Sequence, residues 1–459
     1  MNISQNKIIG IIGFGVSGIA ASKECIKQGY QIKIFEKNSS LGGVWFSKSY
    51  PSCQLQTTKY SYCFSDVPHF ESTSLYPNRD EIIDYLTEVC NKYNLFKYVN
   101  YNTNVIKTNF DKSKTKWNII YKNGENETNN FECDYLIVAS GFYTDNKAFN
   151  DITSDKLFND KVYYANSFSS IGNLSEDILK DKNIVVIGNG PTGCDLATQS
   201  VKKGAKSVKL LYRTKRWLFR RYLWNKISTH YVLNRLTMKI IENINKKIYI
   251  IVVTILYYIF YVIGHKFFFK IPTPFSPITR NNLVLNDDIL KMIYDQKIDY
   301  IYTNKTYITD KFVITQNENL QYDICILAIG YQSNIKFMDL DKIPYMFKHI
   351  IHPDKTNCGF IGFTATFNWA QVSELQSKWF LNYINDTNNQ ISKTKMIEDI
   401  KYEYIHQDNK SADYHDLAID VYNYCDNLSN DIKLKNKYNR YNPKYWLLSP
   451  ESDTWSNNS

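Results

Sequence analysis

The nine cysteines of this 459-residue chain never fall into a CxxC pair, and no metal-ligand spacing appears among them. This excludes a dithiol redox centre and leaves no metal site to propose. Scattered single cysteines suit a reducing, cytosolic compartment, where they serve as small buried side chains. The seven histidines, among them His69, His230, His265, His349 and His352, form no cluster, so they read as surface or satisfied core residues. No secretory signal is recognisable: the first apolar stretch, 8–12, is too short and is followed by glycines. The net charge of +10 and pI of about 8.8 would suit anionic partners. With no long basic run or nucleic-acid motif, nucleic acid is not expected among them. Long hydrophobic runs are scarce too. The exception, residues 248–264, has seventeen residues without a charge, with Lys246 and Lys247 before it and His265 and Lys266 after. It falls short of the roughly 20 residues of a spanning helix. It reads either as an interfacial helix on a membrane surface or as a buried helix of an inserted subdomain.

What the chain does contain is a pair of glycine fingerprints. The first is Gly13-Phe14-Gly15-Val16-Ser17-Gly18, entered by the apolar run 8–12 and left by a stretch, 19–28, that reads as a helix closed by Gly29. Gly13 permits the turn, Gly15 lets a pyrophosphate approach the backbone, and Gly18 lets helix and strand pack closely. The helix N-terminus then offers free N–H groups to the phosphates. A second strand, 31–35, ends at Glu36, eighteen residues past Gly18, where an acid takes the ribose hydroxyls. The second fingerprint, Gly188-Asn189-Gly190-Pro191-Thr192-Gly193, lies 175 residues later between a strand at 183–187 and a helix at 194–203. Here the strand 208–212 ends at Arg213, with Arg216 three residues on. Arginine at that place accommodates a 2′-phosphate, so the second dinucleotide is expected to be NADP.

Between and after the fingerprints lie further landmarks. Leu41-Gly42-Gly43-Val44-Trp45 follows Glu36; its glycines allow backbone to pass close to a cofactor and Trp45 offers a flat surface, or the stretch is a loop with a core tryptophan. Gln56-Thr57 and Phe64-Ser65-Asp66-Val67-Pro68 come next, then a helix near 79–93 and a strand at 117–122. Residues 135–141 and 323–331 read as buried strands, the first ending in Gly141 and the second in Gly330-Tyr331. Gly359 to Gly362 precedes a helix around 372–384 that contains Glu374-Leu375-Gln376-Ser377-Lys378-Trp379.

The order and spacing of these landmarks over roughly 7–384 resemble the flavin-containing monooxygenases, the class B flavoprotein monooxygenases. The telling stretches are Gly42-Gly43-Val44-Trp45, Phe64 to Pro68, Val284-Leu285-Asn286-Asp287, Ala328-Ile329-Gly330-Tyr331, and Glu374 to Trp379. The resemblance implies an enzyme in which NADPH reduces FAD, O2 forms a flavin C4a-hydroperoxide, and a nitrogen or sulfur of a small molecule takes the oxygen. Gln56 and Thr57 would then be the catalytic pair at the flavin–nicotinamide contact, unless they form a polar loop of no consequence. Two positions depart from the family pattern. In its Phe-x-Gly-x-x-x-His-x-x-x-aromatic stretch, Phe158 and Phe168 are kept, but Asp160 replaces Gly and Tyr164 replaces His. The family uses this stretch to couple its domains, so the change bears on NADPH use; the absence of a Trp-Pro ending argues against a Baeyer–Villiger enzyme. Gln56 stands where animal members have Asn.

The expected fold is α/β, with two Rossmann-like dinucleotide-binding domains and the NADP domain inserted into the FAD domain. FAD-binding segments are expected at 1–175 and 321–390. The NADP-binding domain is placed at 176–320, with a hydrophobic helical insertion near 215–280, and a helical tail at 391–459. The FAD-binding residues are Gly13, Gly15, Val16, Ser17, Gly18, Glu36, Gly43, Val44, Trp45, Gln56 and Thr57. The NADP-binding residues are Gly188, Gly190, Pro191, Thr192, Gly193, Arg213 and Arg216. Two rival functions remain open at this stage: an NADPH oxidase that releases hydrogen peroxide, and a flavin-bound interaction protein without activity. The protein is expected in the cytoplasm, on the cytosolic face of a membrane if 248–264 docks there.

Overall fold

A computed structural model of the protein describes residues 7–153, 158, 160–172, 174–223, 227–228, 283–340, 343–386, 391–405 and 419–434, with isolated positions at 236, 248, 251 and 255. Its centre is two parallel sheets. In the first, β1 (Ile8–Ile12) lies between β2 (Gln31–Phe35) and β3 (Tyr135–Val138), flanked by Val99–Asn100 and Cys358–Phe360. Both faces are covered, which is why these strands are continuous apolar runs rather than alternating ones. Helix α1 (Val16–Lys27) packs on α5 (Trp369–Asn385). Between them in sequence come the single-turn α2 (Val44–Ser47) and α3 (Arg79–Lys92). α3 starts with a capping box in which Asn78 and Glu81 satisfy each other's backbone N–H.

The second sheet runs Asp299–Tyr302, β5 (Ser207–Tyr212), β4 (Asn183–Ile187), β6 (Ile324–Leu327) and Val162–Tyr164, all parallel. Helix α4 (Pro191–Lys202) follows β4. Two boundaries therefore move from their expected places. Val162–Tyr164, expected with the first domain, is an edge of the second sheet, and β6, expected to return to the first domain, pairs with β4. The crossings lie instead at a two-stranded antiparallel ribbon, Asp145–Asn146 with Tyr331–Gln332. The chain leaves the first domain through one strand of this ribbon and re-enters through the other. Cys358–Phe360 is the strand that completes the first sheet.

α1 and α4 each begin three residues earlier than the periodicity suggested, so the last glycine of each fingerprint lies inside the helix. A Cβ on Gly18 would stand 1.9 Å from the Gly13 carbonyl oxygen, and one on Gly193 would stand 1.7 Å from that of Gly188. Gly13 and Gly188 hold φ of +101° and +109°, which side chains resist. Of the expected insertion, Trp217–Phe219 pairs in parallel with Leu283–Leu285, and most of what lies between falls outside the described residues, as does most of 248–264. In the expected tail, Lys393–Ile405 and Val421–Asp431 are helical.

Two of the landmark stretches, far apart in sequence, meet through one buried lysine. The Lys23 side chain is fully buried on α1, and its Nζ lies 2.9 Å from Glu24, 2.7 Å from Asp66 and 3.3 Å from Glu374. Lys27 also pairs with Asp66, and Lys378 with Glu374 at 2.7 Å. The Ser65-Asp66 turn is thus tied to α5, which closes the first core.

Candidate functional site

A cavity of about 550 Å3 opens over the first fingerprint. Gly13, Gly15, Val16, Ser17, Glu36, Gly43 and Val44 line it. Gly15 is the N-cap of α1 and gives no side-chain cap, and no acid occupies the first turn. The orphan N–H groups of the helix are therefore left to an anion. Glu36 is fixed by donors from its own neighbourhood: Phe14 N–H at 2.7 Å, and Asn38 backbone and side chain at 2.9 and 2.8 Å. Burial raises its carboxyl above the usual range, while these donors pull it down.

Gly43 backs onto Gly15; a Cβ on Gly15 would come within 3.3 Å of the Gly43 Cα. This contact carries the Gly42-Gly43-Val44 turn to the cavity rim. Trp45 turns away from it. The indole is nearly buried in the first core and donates to the Tyr62 hydroxyl at 2.8 Å. Tyr62, a residue with no signal in the sequence, is the ring that reaches the cavity. Gly18 serves packing, as expected, and does not line the wall.

The second cavity, of about 720 Å3, is lined by Gly188, Gly190, Pro191, Thr192, Arg213 and Arg216. Gly193 packs behind it. A Cβ on Gly190 would meet no protein atom within 4 Å. That glycine is therefore not required by the fold's own packing and leaves space for a ligand. Pro191 opens α4 at a position where its missing N–H costs nothing. Arg213 is exposed at the end of β5. Arg216 lies deeper, where burial lowers its pKa against the fields of Cys194 and Tyr300. Lys147 and Lys305 add charge that the sequence reading missed.

The cavities share Tyr143. Its ring lies 5.7 Å from Phe142, 5.7 Å from Tyr331 and 6.4 Å from Trp369, centroid to centroid. An aromatic wall thus stands where the two sites adjoin, beside the crossover ribbon.

Gln56 and Thr57 line neither cavity. The Gln56 carboxamide pairs with both backbone groups of Leu285, accepting from N–H at 2.8 Å and donating to the carbonyl at 3.2 Å; Thr57 is buried. Gln56 belongs to a seam between the domains. There Asp195 of α4 accepts from the Tyr50 hydroxyl and from the Asn286 amide, both at 2.7 Å. Arg221 pairs with Asp287 at 3.3 Å and donates to the Leu55 carbonyl at 3.4 Å. Burial raises the Asp195 carboxyl, opposed by the field of Arg221. The Val284 to Asp287 stretch is thus the second domain's half of the seam. Within the altered coupling stretch, Tyr164 stacks on Phe158 at 5.6 Å and 9°, and Phe168 is buried in the second core.

A family model described as flavin-binding monooxygenase-like matches residues 6–442. The putative flavin-containing monooxygenase 2 of Arabidopsis thaliana is 24% identical, over 95% of this chain and 99% of its own length. Among solved structures, S-allyl-L-cysteine S-oxygenase from Allium sativum superposes with a TM-score of 0.64 at 18% identity, covering 93% of this chain and 88% of that one. A structure of OTEMO in complex with FAD and NADP gives 0.70 at 16% identity, covering 94% and 98%. At these identities the structural likeness speaks for the fold.

Proposed function

The chain belongs to the flavin-binding monooxygenase-like family, and from that premise we propose its reaction: oxygenation of a soft nitrogen or sulfur nucleophile in a small molecule, with NADPH and O2 consumed. It is an NADPH-dependent flavin monooxygenase with FAD and NADP as cofactors. The observation that carries the reading is the repeated strand–glycine–helix cradle, one per parallel sheet, on either side of the Tyr143 wall. In this reading FAD lies over Gly13, Gly15 and Glu36, and NADP lies over Gly188, Gly190 and Thr192 with its 2′-phosphate at Arg213 and Arg216. When bound, the flavin supplies the oxygen chemistry and the nicotinamide the reducing equivalents. The chain's own part is to bind, to orient and to exclude water. The N-termini of α1 and α4 present N–H groups to the phosphates, and the rings of Phe142, Tyr143 and Trp369 keep the junction dry. Gln56, with Thr57 beside it, acts by position: its hold on Leu285 sets how the two domains stand against each other.

Anaerobic addition of NADPH to the flavin-loaded protein should bleach the flavin absorbance. Admitting O2 with a tertiary amine or a thioether should then yield one oxygenated product per NADPH. The thioether earns its place in the assay because the Allium protein of this fold is an S-oxygenase. Asp160 and Tyr164, in place of the family's Gly and His, keep one competitor in view. Peroxide without product would make the protein an NADPH oxidase. No bleaching at all would leave a flavin-bound interaction protein.

We also propose that the protein docks on the cytosolic face of a membrane through 248–264. Ile248, Ile251 and Ile255, the described residues of this stretch, are helical and 55%, 57% and 51% exposed. Lys246 and Lys247 precede them. Exposed apolar residues in an uncharged run with basic flanks suit a headgroup boundary. Among the described residues no helix is long and apolar enough to cross a membrane.

A further inference from the structure

Lys48 belongs to no fingerprint, yet it sits where the first cavity meets the crossover ribbon. It directly follows α2, the single turn that starts at Gly43, and Gly43 is the residue packed against Gly15 of the first fingerprint. Its Nζ donates to the Thr144 carbonyl at 2.8 Å and lies 4.5 Å from the centroid of the Tyr331 ring. Thr144 and Tyr331 stand on the two strands' sides of the ribbon, and neither neutralises the charge. Among the described residues no carboxylate forms an ion pair with Lys48. The charged groups around it are Lys37, which also lines the cavity, and Asp145, itself held by Asn334 and Lys336. Lys48 also lines the cavity.

We propose that Lys48 is a FAD-binding residue, its ammonium completing the pyrophosphate site that the N–H groups of α1 begin. This rests on the assignment of FAD to the first cavity. An ammonium left with a carbonyl and a ring face is costly to bury, and a dianionic pyrophosphate held in the same cavity would remove that cost. The electrostatics agree. Burial and then the Lys37 charge pull the Lys48 pKa down to about 8, against a weaker pull upward from Asp145. Tyr331 and Tyr143 face the same space. The Tyr331 hydroxyl is pushed far up by burial and stays neutral throughout the working range.

The test uses the full-length protein freed of flavin, titrated with FAD by quenching of flavin fluorescence between pH 6.5 and 9.5. The protonated lysine is the binding form, so the Kd should be flat below about pH 8 and rise by up to about tenfold per pH unit above it. Lys48→Met should bind FAD about ten- to a hundred-fold more weakly at pH 7, with a flat profile. Lys48→Arg should bind near the native strength but lose the alkaline rise, because guanidinium does not titrate there. If the methionine variant folds poorly, the arginine profile alone decides. ADP, which carries the pyrophosphate without the isoalloxazine, should show the same dependence. Identical Kd values and profiles in native protein and variants would overturn the proposal, as would a loss seen with FAD and absent with ADP. No FAD binding by the native protein would instead bring down the assignment of the cavity itself.

Discussion

Replacing Lys23 by methionine should loosen the first domain and shift its acid sensitivity. The native ammonium is fully buried and holds Glu24, Asp66 and Glu374 within 3.3 Å. Methionine keeps most of the length and the contact with the Phe64 ring, so the change is chiefly one of charge. Three carboxylates would then face one another with only Lys27 and Lys378 at the margin. Removing one partner of a buried pair costs about 3–5 kcal/mol. The two flanking lysines put this case at the lower end, about 3 kcal/mol, which for a unit of this size is a fall of about 6–12 °C in Tm. The pH dependence gives a second reading. Burial would raise the Asp66 and Glu374 carboxyls, but the Lys23 charge, joined by hydrogen bonds from Lys23, Lys27 and Tyr93 to Asp66 and by Lys378 and Ser65 at Glu374, outweighs it and holds both below the usual carboxylate range. Groups depressed in the folded state contribute stability that is present above their unfolded pKa, about 4, and lost as pH falls through the folded values. The native protein should therefore hold its stability until strongly acidic pH. Without Lys23 the carboxyls titrate higher, and the loss should set in at higher pH. Scanning calorimetry of the flavin-loaded protein from pH 3 to 7 measures both. A variant that melts within about 1 °C of the native protein, or that keeps the same acid profile, would refute the reasoning.

Other perturbations separate the two cavities. Gly190→Val adds a Cβ that meets no protein atom, at a backbone φ of −70° that valine tolerates; melting temperature and FAD content should hold while NADPH binding weakens by about a hundred-fold or more, and an unchanged KM for NADPH would remove NADP from this cavity. Gly15→Val should by contrast lose flavin and some stability together, because its Cβ also crowds Gly43; full flavin content after purification would contradict it. Arg213→Ala should raise the KM for NADPH by about ten- to a hundred-fold with the NADH constant nearly unchanged, whereas equal losses with both would make Arg213 a residue of the fold. Glutamate at Ile248, Ile251 and Ile255 together should move the protein from the membrane to the soluble fraction without unfolding it, and a native protein that ignores anionic vesicles would rule the docking out.

The two glycine fingerprints could be read from the chain because their demands are local. A turn at φ near +100° and a helix touching its own preceding turn admit glycine alone, at fixed spacing, whatever lies elsewhere. Helix α3 was legible for the same reason: its capping box and apolar stripe lie within fifteen residues, and the expected 79–93 is Arg79–Lys92 in the structure. Sheet membership was not legible. Residues 324–327 are apolar at every position and would fit either parallel sheet; only their pairing with Asn183–Ile187, some 140 residues earlier, places them. Side-chain destination was equally hidden. Gln56 reads as polar and available, but its amide is taken up by a backbone 229 residues away. Trp45 reads as a cofactor platform, yet its N–H finds the Tyr62 hydroxyl in the core. Lys23 looks like an ordinary helix-surface lysine until Asp66 and Glu374 close around it. Backbone conformation answers to neighbours within a few residues, whereas burial and partner choice depend on which distant segments the folded chain brings into contact.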